Sequence, residues 1–135
     1  MAMKAPYIYF CTNNGTAYGI VPDTAINFGS VFPEQTSAEI AIYIQNDDEF
    51  KDLVATEIDC IRHPYDLQMG FDYETYEAVE FSISAGGNYT KGNPLAFGTC
   101  WADYRNGPFY AKWSPPKGAY KGLKVWGIMI SGNYE

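Results

Sequence analysis

The chain has 135 residues, enough for one domain to bury a continuous core without disulfides or a metal to hold it together. At 47 % hydrophobic and 17 % aromatic it is too apolar for a disordered chain, and its tyrosines and phenylalanines favour strand over helix. Sixteen acidic against nine basic residues give a net charge of −7, which argues against nucleic-acid backbones and anionic membranes as partners.

The first apolar run, from Tyr7 to Cys11, is too short for a signal-peptide core or a membrane span, so neither a cleaved leader nor membrane insertion is expected. Asn13-Asn14-Gly15 can supply the positive φ angles of a tight turn, and residues 16–21 read as a returning strand. Residues 1–22 are therefore expected to form an N-terminal hairpin or arm packed on a domain spanning 23–135. Between Glu39 and Gln45, Ile40, Ile42 and Ile44 fall on one face and Ala41 and Tyr43 on the other, the period of a half-buried strand. Phe50-Lys-Asp-Leu is expected to make a helical turn, capped by Asp47 or Asp48, before a strand over 54–61. Val79, Phe81 and Ile83 alternate with Glu80, Ser82 and Ser84 and run into the turn signal Ala85-Gly-Gly-Asn. Strands over 95–102, 108–113 and 123–131 bring the total to about seven or eight, with Phe109, Ala111 and Trp113 sharing an inward face. The expected fold is an all-β, immunoglobulin-like sandwich.

Chemistry-bearing residues are few. Cys11, Cys60 and Cys100 are odd in number and form no Cys-x-x-Cys pair, so buried thiols are expected, with a single bridge left open to geometry. His63 is the only histidine, precedes Pro64 and has no accompanying nucleophile motif; no catalytic residue is assigned. Asp47, Asp48, Glu49 and Asp52 lack the spaced pattern of a calcium loop, and neither a zinc spacing nor a phosphate-cradling glycine loop is present, so no metal or cofactor is expected. Glu74, Glu77 and Glu80 could act as a carboxylate pair in glycoside hydrolysis only at a separation that sequence does not give. Lys112, Lys117, Lys121 and Lys124 are read as a solvated strand edge in preference to a nucleic-acid groove.

The aromatic surplus is the remaining clue. Strand alternation places Tyr43, Tyr110 and Trp126 opposite the core residues, and with the arm residues Tyr7, Ile8, Tyr9 and Phe10 they are the expected protein interface. An arm of that kind could add a strand to a neighbour, and its removal with residues 1–12 is expected to leave the sandwich folded. The alternative is a glycan-binding or adhesion module in which the loop residues Tyr73, Tyr89 and Tyr104 stack on sugar rings.

Phe28-Gly-Ser-Val, a polar stretch, the alternating strand closing on Gln45-Asn46, and later Phe109-Tyr-Ala-Lys-Trp-Ser-Pro-Pro before a Gly-bracketed last strand resemble the abnormal-spindle/hydin type of Ig-like domain. The resemblance covers about residues 24–46 and 108–132, and the segment between departs from it. In overall texture the chain also looks like the Ig-like structural proteins of tailed bacteriophages, such as capsid decoration and tail proteins. That resemblance implies a non-enzymatic virion component, assembled in the host cytoplasm, that binds copies of itself as a homo-oligomer or binds a neighbouring virion protein.

Overall fold

The computed structural model describes residues 8–12, 27–62, 72–87, 89–91, 94–119, 124 and 126–135. They form β1 (Ile8–Cys11), β2 (Ile40–Asn46), β3 (Leu53–Ile61), two 3-10 turns (Asp72–Glu74 and Tyr76–Ala78), β4 (Val79–Ser82), β5 (Thr90–Lys91), β6 (Leu95–Cys100), β7 (Tyr104–Trp113) and β8 (Gly127–Tyr134). One sheet runs in the order β1-β2-β7-β4-β5 and the other β6-β3-β8, with every neighbouring pair antiparallel. Side chains of both sheets meet in one core, giving the expected Ig-like β-sandwich. Tyr7, the turn at 13–15, the returning strand at 16–21, His63 and Lys121 lie outside the described residues. Among the described residues no helix is long and apolar enough to cross a membrane.

The alternation in β2 does what its sequence dictates. Ile42 and Ile44 are fully buried, and each such side chain contributes roughly 1.5–3 kcal/mol by leaving water. Across from them, β7 sets Ala111 opposite Ile40 and Phe109 opposite Ile42, both buried. The register then slips, because Ile44 pairs with Asn106, so Gly107 and Pro108 together face Tyr43. This is a β-bulge. Gly107 holds φ at 113°, and a Cβ there would come within 3.3 Å of the Ile42 carbonyl oxygen, so glycine alone fits. Through the bulge Asn106 and Phe109, three residues apart, both face the interior.

Several expectations are corrected. β1 is an edge strand of the larger sheet and not a detachable arm: Ile8 and Phe10 pack on the core, Phe10 meets Phe109 edge-on at 6.2 Å, and Cys11 is fully buried. Removal of residues 1–12 would strip one edge from the larger sheet and cannot leave the packing intact. Ile83 does not continue the inward row, because β4 ends at Ser82; Ile83 is exposed, and Ser82 is buried with its hydroxyl donating to the Ser84 carbonyl at 2.9 Å. No helix forms at 50–53. Asp48 caps the chain there as anticipated, its Oδ1 accepting from the Phe50 and Lys51 amides at 2.9 Å each, but Leu53 already belongs to β3. The Phe28 segment carries no strand over 27–39 and is instead laced to the Pro-Pro turn. The Glu34 amide donates to the Pro115 carbonyl at 2.8 Å, the Ser37 amide to the Trp113 carbonyl at 2.8 Å, and the Trp113 amide to Ser37 Oγ at 2.8 Å.

Cys11, Cys60 and Cys100 form no disulfide and are buried, as expected of core thiols. Burial pushes the Cys60 and Cys100 thiols well up, because the thiolate would have to form out of water. Titration of the native protein with an aromatic disulfide reagent should therefore find no fast-reacting thiol, and all three should react once denaturant is added. Rapid reaction of any of them in the native state would contradict this burial.

Candidate interaction surfaces

The outer face of the larger sheet carries Tyr9, Tyr43 and Tyr110, set there by alternation with the inward residues of β1, β2 and β7. This face satisfies much of its own chemistry. The Arg105 guanidinium lies 5.5 Å from the Tyr43 ring centroid, and the Lys112 ammonium lies 4.1 Å from that of Tyr89 and 4.0 Å from Glu80. The Tyr89 hydroxyl donates to Glu39 Oε2, which also accepts from the Gly86 amide at 2.8 Å. These two bonds hold the Glu39 carboxyl below its usual range, whereas partial burial and the Glu39 charge push the Tyr89 phenol up. Burial first, and then Asp47, also raise Tyr9.

The other candidate surface lies at the end of the sandwich where β2 leads into β3 and β6 into β7. Two connections meet there, 47–52 and 101–103, and side-chain amides and carboxylates fix both. Asn46 Nδ2 donates to the Lys51 and Cys100 carbonyls at 3.1 Å each, and its Oδ1 accepts from the Asp48 amide at 3.0 Å. Asn106 Oδ1 accepts from the Trp101 amide at 2.9 Å, while its Nδ2 donates to the Trp101 and Tyr104 carbonyls at 3.2 and 3.1 Å. Asp52 Oδ1 accepts from the Ala102 amide at 2.7 Å, and the Asp103 amide donates to the Asp48 carbonyl at 2.8 Å, joining one connection to the other. The two amide bonds to Asp48 hold its carboxyl below the usual range. Both asparagines are buried, so their amide groups substitute for the strand bonds that these loop residues lack.

What this framework presents is apolar. Phe50 is 83 % exposed, Trp101 56 % and Tyr104 57 %, although rings of this size normally bury most of their surface. Sequence reasoning placed Phe50 in a helical turn and Trp101 in a strand and so assigned neither to a surface. The available signal was an apolar ring directly after Asp47-Asp48-Glu49, where a connection has no core to enter.

The structure separates the residues expected to act together. Ile8 and Phe10 face the core, and Trp126 stacks on Phe28 at 5.3 Å and packs against the core, so among the described residues Tyr9, Tyr43 and Tyr110 of the expected interface lie on the outer face. Trp126 departs from its expected position because it precedes β8 and escapes that strand's alternation. Among the glycan candidates, Tyr104 opens β7 whereas Tyr89 sits beside Lys112 near its other end, about 26 Å away at the usual rise per residue. Tyr73 adjoins Glu74, whose carbonyl accepts from Trp113 Nε1 at 2.9 Å, again far from Tyr104. The lysine cluster is also divided, since Lys112 covers Tyr89 and Lys124 is paired with Glu74 at 3.1 Å. Among the described residues no three His, Cys, Asp or Glu side chains gather as a metal site. In comparisons with known proteins, no family model, curated protein or solved structure matches the chain.

Proposed function

We propose that the chain is a non-enzymatic structural or interaction protein, a component of a larger assembly of the kind that decorates capsids or builds tails in tailed bacteriophages. The observation that carries this reading is the loop end, where Phe50, Trp101 and Tyr104 stand exposed on connections braced by Asn46 and Asn106. Aromatic rings held on preordered backbone bind at low entropic cost, which makes such rings common at the centres of protein interfaces. Loops on a rigid sandwich are also where binding residues concentrate in this architecture. The partner is a second copy or a neighbouring protein of the assembly.

Native mass by size-exclusion chromatography with light scattering, over a wide concentration range, tests the reading. Association lost on replacing both Trp101 and Tyr104 by serine supports binding between copies, and a monomer at every concentration assigns the surface to a neighbouring protein. Turnover of any substrate in a broad hydrolase panel, abolished by a single substitution such as His63→Ala, would overturn the non-enzymatic reading.

A further inference from the structure

We infer that the loop end built by residues 47–52 and 101–104 docks a cationic segment of a partner protein, with arginine or lysine side chains lying over Phe50, Trp101 and Tyr104. The inference rests on the loop end being the binding surface and names the chemistry that it takes.

Two observations converge on it. First, the half-buried rings of the outer sheet face and the exposed rings of the loop end differ in their cation contacts. On the outer sheet face, Arg105 covers Tyr43 and Lys112 covers Tyr89, so those rings already hold cations of this chain. At the loop end, no cation of the described residues lies over Phe50, Trp101 or Tyr104. A cation over the negative face of such a ring gains more as water is excluded from it.

Second, the surrounding charge has the matching sign. Asp47, Asp48, Glu49, Asp52 and Asp103 lie in these connections, against Lys51 as their one base. Asp48 and Asp52 are occupied in accepting hydrogen bonds from the backbone. Glu49 and Asp103 are exposed. The field at this end therefore attracts a basic segment and repels an acidic one, which excludes a second copy bringing its own loop end. A neutral sugar could stack on the rings but would gain nothing from the charge.

The test uses the full chain and a fluorescein-labelled peptide of alternating arginine and serine, with binding read by fluorescence anisotropy. Saturable binding that weakens with added salt is expected. Replacing Trp101 and Tyr104 together by alanine should weaken it by about tenfold, since each ring supplies a cation contact in a partly desolvated site. Glu57→Gln with Glu77→Gln removes two exposed charges elsewhere and should change affinity by less than about twofold, as expected for screened distant charges. All three proteins should unfold at the same urea midpoint, because none of these side chains is buried. No saturable binding, or equal weakening by the ring pair and the distant charge pair, would overturn the inference by reducing it to general attraction toward an acidic protein. A neutral cello-oligosaccharide bound through Trp101 and Tyr104, with the peptide unbound, would overturn it while leaving the loop end as the binding surface. If neither probe binds and native mass is also indifferent to the ring pair, both the inference and the proposed function fall.

Discussion

Phe109→Ala is expected to lower unfolding free energy by about 4 kcal/mol, the largest effect of any single truncation in this core. The reason is its position. Phe109 is fully buried on β7 and meets Phe10 of the edge strand, Phe81 of β4 and Phe97 of the opposing sheet edge-on, with centroids 6.2, 5.7 and 6.1 Å away. One ring thus joins three strands of the larger sheet to the smaller one, and each aromatic pair adds about 0.5–1.5 kcal/mol beyond its buried area. With domain stabilities of roughly 5–15 kcal/mol, such a loss consumes a large share of the total. Urea unfolding followed by tryptophan fluorescence measures it, with Trp101→Ala as a control expected to stay within about 0.5 kcal/mol, since exposed positions rarely matter more. A loss below about 1.5 kcal/mol for Phe109→Ala would mean that the sheets are not joined through this ring.

The second large effect is electrostatic. Lys124 Nζ donates to Glu74 Oε2 at 3.1 Å, and the two side chains are only 7 % and 0 % exposed. Removing one charge takes this close partner from a group held out of water, so Glu74→Gln or Lys124→Met alone should cost about 3–5 kcal/mol. The double variant Glu74→Met with Lys124→Met should recover much of that, because a buried ion pair and an apolar replacement of similar volume are often close in stability. The neighbouring bond from Trp113 Nε1 uses the Glu74 backbone carbonyl and survives either substitution. Chemical denaturation of the two single variants and the double variant yields the coupling energy directly. Single variants within about 1 kcal/mol of the parent would be the behaviour of a solvated surface pair and would contradict the burial.

The sequence discloses this fold to different depths along the chain. Ile40, Ile42 and Ile44 announce β2 because a half-buried strand must alternate, and Phe109 and Ala111 announce the inward row of β7 for the same reason. Asn106 was hidden by the bulge at Gly107 and Pro108, which changes the parity of the strand so that a residue three positions from Phe109 also points inward. In the sequence Asn46 reads as a strand terminator. Its function as a brace depends on the Cys100 carbonyl, 54 residues away, which no local pattern encodes. The pairing of Glu74 with Lys124 is equally non-local. The exposed rings of the loop end are hidden in the sequence because Phe50 reads as part of a helical turn and Trp101 adjoins β6, where an aromatic reads by default as part of the strand. Tyr104 reads as a surface aromatic, but with partners that the topology places at the far end of β7.

The most direct measurement is a titration of the uniformly nitrogen-15-labelled protein with the arginine–serine peptide, followed by amide chemical shifts. The predicted result is saturable shifts concentrated in residues 47–52 and 101–104 and in the Trp101 indole N–H, with the amides of β3 and of the outer sheet face around Tyr43 and Tyr110 unmoved. Shifts spread evenly over the acidic surface, or confined to the Tyr43 and Tyr110 face, would contradict the loop end as the surface through which this protein binds.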